Sequence, residues 1–568
     1  MILVFLLAAA WPLRDALVEG RMAGSGPDVT VTLWGMWWFS EEAMGPAWTG
    51  ASTLVNYPIG AVGAVLAPFT SGLWAVLSWF CTAGTAGTWT GLIYLAGWCA
   101  TVAWLARLTG VGRMAAAFAG VLALHGRYLV YALGETSIVG ITALPALLSV
   151  GALLSWRLNP ARRWLVLYVV ASAAVGLEFP YLAPVPPLLG LLAYAERRDR
   201  RVLAAVVVAT ALLLGAVMIT GRGQIPFGSA RIGSTVTLFG LHFPSAEDLV
   251  ARARLGDQLW PRAVRWSVSG ASGTLRAGGR EYVGLSLLLA ALAGAWVRPR
   301  QALPWLLAGL VGMILATGSS WGGHASPFAL INSVAAKAVR ALTQPTRYLV
   351  LTSAALPIAA AHLLDHLAVR RWVALGFGGV LLIDAIGVGG LSLTLPVSLL
   401  PEAPCVAALA DLPRTAVLTL PWDALSDGDA ALRSREWQTL HSQAAAVFGV
   451  GSWTLGEGGL ATSLLDDLKV GPAVVGLAPL NVHGLRELGF TYLVADLKVG
   501  EWLEGNLRDD IGAPQTVCEG AAVWNLALTR PDGKAAGAVA ATPKTWKERA
   551  LIRAADRKDF RGAPLKAH

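Results

Sequence analysis

Charge is what this sequence has least of. Only 14% of its 568 residues are Asp, Glu, Lys or Arg, 55% are hydrophobic, and the mean hydropathy is +0.58. Ordinary globular domains are about 25% charged, so a soluble enzyme of this length is excluded. A disordered chain is excluded too, because disorder needs few apolar residues and many charges. Cysteine is scarce: four residues with no CxxC pair, which rules out a zinc ribbon or a thioredoxin-like motif. A Walker A motif is absent, so a P-loop-driven pump has no support. Asp423, Asp427 and Asp429 miss the spacing of a calcium loop. No period of 20–50 residues marks a repeat array.

What is abundant is apolar sequence and tryptophan. The 24 Trp outnumber the 14 Phe, and indoles favour the headgroup layer of a bilayer, where an apolar ring and a polar N–H are both satisfied. The chain reads as a polytopic membrane protein. Its net charge of +9 is not a nucleic-acid signature, since much of the basic excess lies between apolar segments, where arginine sets topology.

A bilayer core about 30 Å thick takes roughly 20 helical residues to cross. Runs of that order lie near 89–108, 114–133, 137–156, 202–220, 282–297, 303–319, 347–367 and 372–391. The segment 164–195 has arginines at both ends and Glu178-Phe179-Pro180 in the middle, which predicts two short helices that go out and return. Met1–Leu13 is apolar, has no basic residue before it and no small-residue cleavage site after it, and reads as a first span with its upstream end missing rather than a signal sequence. The segment 58–80, opening Tyr57-Pro58-Ile59-Gly60, reads as a re-entrant or interfacial helix.

Arginine then assigns sides. Arg107/Arg113, Arg157/Arg162/Arg163, Arg197–Arg201, Arg298/Arg300 and Arg370/Arg371 all occupy short connections, which the positive-inside rule places in the cytoplasm. The spans satisfy this with about 11 crossings, the N-terminus inside and the C-terminus outside. The expected organisation is a transmembrane domain over 1–395, an extracytoplasmic α/β domain over 396–530 and a basic tail over 531–568. A first outer loop covers 19–88 and a long outer loop 221–281. The arginines of the long loop are no conflict, because loops of about 60 residues are exported largely regardless of charge. In the C-terminal region Val417–Leu420, Tyr492–Asp496 and Val523–Leu528 read as strands, with helical stretches around 430–448 and 481–488. Cys405 and Cys518 both fall there, and the sequence leaves open whether they pair.

Ionisable groups inside a membrane are costly and usually face a bundle interior or a water-filled cavity. On this topology they gather toward the outer face: Asp28, Glu41 and Glu42 in the first loop, His125, Arg127, Tyr131 and Glu135 along one span, Glu178 and Tyr181 at the turn between short helices, His242 in the long loop, and Arg347 opening a late span. Structural readings compete at each. Asp28 fits an N-cap for a helix starting at Val29, Glu41 and Glu42 fit solvated positions, His125, Arg127 and Glu135 fit a packing pair or triad, and Arg347 fits a snorkelling side chain. Glu178 has the weakest alternative, because it interrupts an apolar stretch beside a proline. Gly376-Phe-Gly-Gly with Asp384 superficially matches a nucleotide fingerprint but lies within a span, where small residues serve close helix packing.

The run Gly26-Pro-Asp28-Val-Thr-Val-Thr-Leu-Trp34-Gly-Met-Trp37-Trp38, followed by Asn56-Tyr57-Pro58-Ile-Gly60, resembles the first outer loop of bacterial multipass proteins related to the GT-C glycosyltransferases. Arg340-Ala-Leu-Thr-Gln-Pro345-Thr-Arg347-Tyr348, Glu281-Tyr282-Val-Gly284, and the C-terminal Thr419-Leu-Pro421 and Leu488-Gly-Phe-Thr-Tyr492 are similar to segments of the same group, in the same order. The resemblance implies an inverting transfer of sugar from a polyprenyl-phosphate donor to an acceptor outside the cytoplasm. It implies Asp28 as general base, Arg127 and Arg347 as phosphate contacts, and Glu178 or Glu135 orienting the acceptor or a divalent metal, with His125 beside them. Asp28 departs from the paired acids common in that group: Glu41 and Glu42 follow more than ten residues later. The implied partners are the bilayer and a lipid-linked sugar, not nucleic acid. A transporter or flippase using Glu178 and Arg127, and a non-catalytic cell-envelope scaffold, are the competing readings.

Overall fold

The computed structural model describes residues 1–24, 27–42, 67–125, 142–179, 182–221, 284–316, 345–368, 371–384, 403–412, 415–420, 482–487, 489–497, 511–518 and 520–527, with short stretches and single residues between them. Two compact units emerge: one of residues 1–29, 66–221 and 228–398, the other of 30–65, 222–227 and 399–568.

The first unit is helical. Its helices are α1 (Ile2–Ala10), α2 (Arg14–Glu19), the start of α3 (Pro27–Glu42), α4 (Pro68–Leu77), α5 (Ala83–Leu108), α6 (Arg113–His125), α7 (Leu144–Leu158), α8 (Arg162–Glu178), α9 (Val185–Arg197), α10 (Arg200–Gly221), α11 (Leu285–Val297), α12 (Pro299–Ala316), α13 (Leu349–Leu367) and α14 (Arg371–Ile383). Among the described residues four helices are long and apolar enough to cross a membrane, those starting at Ala83, Arg200, Pro299 and Leu349, and shorter apolar helices accompany them. Every predicted apolar run overlaps one of these helices. The segment 164–195 breaks as expected into α8 and α9, whose hairpin is closed by Tyr168 donating from its hydroxyl to Pro186 O over 2.8 Å. In the 58–80 segment the helix is α4, ten residues long, about 15 Å at 1.5 Å per residue and too short to cross.

Glycine lets several helices touch backbone to backbone. A Cβ on Gly294 of α11 would stand 2.1 Å from Ala359 O of α13, and one on Gly176 of α8 would stand 2.7 Å from Leu213 O of α10. Of the glycines in the 376–379 run, only Gly378 fits the expected packing role, against the Phe118 ring; Gly376 and Gly379 face open space.

The helix ends sort into two sets. At one end Asp365 accepts from Arg298 Nη1 at 2.8 Å and from Gly112 N at 2.7 Å, joining the α6, α11–α12 and α13 connections. His362, buried one turn earlier, shares a 3.2 Å hydrogen bond with Thr109. The Trp104 and Trp164 rings, 6.1 Å apart, bring the end of α5 beside the start of α8, and Arg157 pairs with Glu196 at 2.5 Å. The connections carrying Arg107 and Arg113, Arg157–Arg163, Arg197–Arg201 and Arg298–Arg300 thus share this end. At the opposite end Thr85 and Thr88 donate to Gly20 O and Arg21 O, and Ala23 N donates back to Thr88. Ala23 bridges to Val397, and Leu395 N donates to Pro12 O.

The second unit holds a five-stranded mixed sheet. Its strands are β1 (Ala416–Leu420), β2 (Ala444–Ala445), β3 (Phe490–Asp496), β4 (Thr516–Cys518) and β5 (Ala521–Asn525), in the order β4-β5-β3-β1-β2. β1 runs parallel to both β2 and β3, while β5 is antiparallel to β3 and β4. β1 is buried on both faces, as a central parallel strand must be. The three expected strands are found. The helical expectation for 430–448 fails at Ala444–Ala445, where tertiary pairing with β1 overrides the helical preference of an alanine run. Cys405 and Cys518 pair in a disulfide with Cα atoms 5.8 Å apart, settling what the sequence left open. The bond joins a short helix (Pro404–Ala407) to the β4 edge strand, beside a core that includes Val406, Leu409, Val417, Trp437 and Val494. Trp34 of α3 donates to Gln438 Oε1 at 2.8 Å within the same unit. The tail 531–568 and most of the long loop 221–281 lie outside the described residues.

Candidate functional site

The best-defined polar site is built on Glu178, which ends α8 and is only 2% exposed. Its carboxyl faces the N-terminus of α4. Oε1 accepts from Phe69 N at 2.6 Å and more weakly from Thr70 N at 3.4 Å. Oε2 accepts from the Thr70 hydroxyl at 2.5 Å and from the Tyr94 hydroxyl at 3.3 Å. The two hydroxyls are 2.7 Å apart; with one proton each, Thr70 can donate to the carboxyl while Tyr94 donates to Thr70. The Glu178 carbonyl accepts from Thr142 Oγ1 at 2.8 Å.

The local sequence explains the need. A helix start leaves backbone N–H groups unpaired, and a Ser, Thr, Asp or Asn at the N-cap usually takes one. Here the N-cap is Ala67, which has no side-chain acceptor and sits at φ 43°, a left-handed conformation that costs a non-glycine residue about 1 kcal/mol or more. Glu178 caps the helix from 109 residues away, and a carboxylate at a helix N-terminus is also favoured by the helix dipole. Asp384 does the same for α11, accepting from Ser286 N at 2.9 Å and from the Ser286 hydroxyl, next to Gly284 at φ 94°.

Asp28 is the second residue of α3, inside the helix rather than capping one that starts at Val29. The chain before it, Gly20 to Ala23, is held by the threonines that open α5. Arg347 lies in a single 3-10 turn, Pro345–Tyr348, leading into α13, and is half-buried. Because α13 runs from Arg347 to the Asp365 cluster, Arg347 is at the end opposite the arginine-bearing connections, as are Glu178 and the Gly20–Ala23 strap. His125 ends α6, which starts beside Asp365, so it lies at the helix end away from that cluster. The side chains of Asp28 and His125, and all of Arg127, Tyr131, Glu135 and Tyr181, lie outside the described residues.

The structure therefore brings Asp28, Glu178, Arg347 and the α6 terminus to one end of the first unit. Among the described residues Glu178 meets no other expected site residue. Its partners Phe69, Thr70 and Tyr94 were not singled out in the sequence, although Ala67-Pro68 before an apolar run is a helix start that lacks its own cap. Among the described residues no three His, Cys, Asp or Glu side chains gather as a metal site. Both Glu178 oxygens already accept hydrogen bonds. The described residues do not fit a metal.

Comparison with protein families and with curated proteins finds no match. Among solved structures, the arabinofuranosyltransferase AftD from mycobacteria aligns with 99% of this chain at 16% identity and TM-score 0.51, and the chain spans 42% of its length. The oligosaccharyltransferase of Archaeoglobus fulgidus aligns with 87% of the chain at 12% identity and TM-score 0.46, over 69% of its own length. ArnT from Cupriavidus metallidurans, solved with undecaprenyl phosphate, aligns with 92% at 14% identity and TM-score 0.37, over 97% of its own length. Identities this low speak to fold, and among these three the AftD alignment is the one close enough to carry that statement. The chain has a GT-C-like fold: a polytopic helical bundle with a small sheet-bearing unit.

Proposed function

We propose that this chain is an integral membrane glycosyltransferase that moves a sugar from a polyprenyl-phosphate donor to an acceptor outside the cytoplasm. The observation that carries the reading is the start of α3: Asp28 opens a helix at the arginine-poor end of the bundle, immediately after a segment strapped down by Thr85 and Thr88. The fold shared with an arabinofuranosyltransferase supports the same class.

In this reading the Asp28 carboxylate takes the proton of the acceptor hydroxyl as its oxygen attacks the anomeric carbon. The bond from that carbon to the phosphate oxygen breaks, and polyprenyl phosphate leaves with the electron pair, with inversion. Arg127 and Arg347 meet the departing phosphate, whose negative charge grows in the transition state. His125 and Glu135 line the acceptor side. Glu178 is a positioning residue: it fixes α4, and its saturated carboxyl weighs against the relay that a transporter would need.

The topology in this reading has about 11 crossings, residues 1–395 as the membrane domain, 396–530 outside the cytoplasm and 531–568 as a basic tail, in a bacterial inner membrane. Two independent features support the sidedness. Arginine concentrates at one helix end, and the Cys405–Cys518 disulfide suits an oxidising compartment.

The test is transfer by the purified full chain, read as release of polyprenyl phosphate from a panel of polyprenyl-phosphate sugars. Asp28→Asn keeps the shape and removes the base, so the rate should fall at least about 100-fold with the thermal unfolding midpoint unchanged. Undiminished turnover in Asp28→Asn overturns the assignment.

A further inference from the structure

A second surface lies at the other end of the first unit and has no part in the proposed transfer. Seven of the twelve residues in 157–163 and 197–201 are arginine, with Asp199 the one acid. The fold gathers them. Helices α8 and α10 run parallel, Tyr168 packing against Val202 and Val206 near their starts and Gly176 against Leu213 and Ala216 near their ends. Arg162 and Arg163 therefore begin one helix beside Arg200 and Arg201, which begin the other. Arg157 and Arg197 close the set from the ends of α7 and α9: Arg197 Nη2 donates to Arg157 O at 2.7 Å, and Arg157 holds Glu196.

Most of this charge is unspent among the described residues. Arg162, Arg198, Arg200 and Arg201 are exposed and have no carboxylate partner among the described residues. Asp199 is occupied in capping α10, accepting from Arg201 N at 2.8 Å. Arg163 and Arg197 lie over the Trp164 and Trp156 rings, at 4.9 and 5.4 Å from their centroids, so the basic rim sits on an indole layer suited to the headgroup region.

Arg198 is the most informative. It is the C-cap of α9 at φ 55°, ψ 25°, a left-handed position where glycine is the usual residue. An arginine there is strained; its backbone N–H closes the cap on Tyr194 O at 2.6 Å, while its exposed guanidinium pairs with no carboxylate among the described residues. Directly along the helices from this rim, large apolar side chains face outward: Val166 and Val170 on α8, Leu188 and Leu192 on α9.

We propose that this end of the bundle is a binding site for anionic phospholipid, with the phosphate headgroup held by Arg162, Arg198, Arg200 and Arg201 and the acyl chains lying on the exposed faces of α8 and α9. Guanidinium groups bind phosphate oxygens in pairs, and basic pockets between membrane helices on the cytoplasmic side hold such headgroups. Topology alone needs only positive charge; it does not need arginine in a left-handed cap or four guanidiniums clustered on two adjacent parallel helices.

Native mass spectrometry of the purified full chain with added phosphatidylglycerol or phosphatidylcholine tests this, and reads lipid occupancy whether or not sugar transfer occurs. The wild type should retain phosphatidylglycerol at least tenfold better than phosphatidylcholine. Arg162→Ser with Arg200→Ser should lower that retention at least fivefold, while Arg113→Ser with Arg300→Ser, an equal charge loss on neighbouring connections, should leave it within twofold. Arg198→Gly should bind less phosphatidylglycerol yet unfold at a higher temperature in phosphatidylcholine, which separates lost binding from lost folding. Equal retention of the two lipids, an equal fall in both double variants, or equal binding of the water-soluble headgroup glycerophosphoglycerol would each overturn the proposal.

Discussion

The Thr70 hydroxyl donates to Glu178 Oε2 across 2.5 Å, tying the first turn of a ten-residue helix to the end of another helix more than a hundred residues later. This bond, with the Phe69 N–H beside it, fixes how the chain returns to the bundle after the first outer loop. It places a charged residue type in a buried setting for a structural reason, because the N–H groups of a buried helix N-terminus need an acceptor from the protein.

Removing this cap should be costly. Glu178→Ala leaves the Phe69 and Thr70 N–H groups without their acceptor and the Thr70 and Tyr94 hydroxyls with only each other, at about 1–3 kcal/mol for each unsatisfied group. We expect a loss of about 3 kcal/mol or more, measured by unfolding in detergent. Glu178→Gln keeps one carbonyl acceptor for Phe69 N and should lose less than half as much. Equal losses would show that the site does not depend on its hydrogen bonds.

Close backbone approach makes a second expectation. Gly294→Ala would push a methyl against Ala359 O at 2.1 Å, where only a shift of one helix relieves the clash. Overpacking of this kind costs about 1–3 kcal/mol. Gly376→Ala meets nothing within 4 Å and should be neutral or slightly stabilising, since alanine is the better helix former. Thermal scans of the two variants side by side separate packing from propensity.

Sidedness can be read without any substitution. Of the four cysteines two form the disulfide, Cys99 is buried, and Cys81 is partly exposed at the arginine-poor end, donating from Sγ to Leu77 O at 3.3 Å. An impermeant maleimide applied to intact cells should therefore label Cys81 alone. Burial pushes its thiol above the ordinary range, so the thiolate is scarcer at neutral pH. The labelling rate should keep rising past the free-cysteine value of about 8.5. Protection in intact cells with labelling only after lysis would invert the topology.

The disulfide closes a separation of 113 residues in the second unit. Replacing both cysteines with serine should cost about 2–4 kcal/mol and open the β4 edge to proteolysis first, because β4 pairs only with β5. Limited proteolysis of oxidised and reduced protein, followed by mass mapping, checks this; identical cleavage patterns would count against it.

Much of the bundle was legible in advance. Apolar run length located the helices, and the Glu178-Phe179-Pro180 interruption divided one region correctly into α8 and α9. Arginine spacing sorted the helix ends, and Arg298 does meet Asp365 at the end it shares with Gly112. The edge of the sheet was harder: Ala444–Ala445 has no local strand signal, and β1 recruits it through pairing alone. The partners of Glu178 could not be placed from sequence. Thr70 and Tyr94 are an ordinary polar residue at a helix start and an ordinary aromatic in a span, and nothing in their spacing points to a carboxyl 108 or 84 residues away.

By itself the sequence determined that this chain is a membrane protein, roughly where its apolar helices lie, and which helix ends carry the arginines, because burial of apolar length and the placement of arginine are set residue by residue along the chain. Only the tertiary structure decided that Glu178 completes a distant helix, that Cys405 meets Cys518, and that two parallel helices pool their arginines. Each of those depends on which surfaces come to lie against one another, and a one-dimensional pattern of polarity does not specify which of many compatible partners a buried polar group will find.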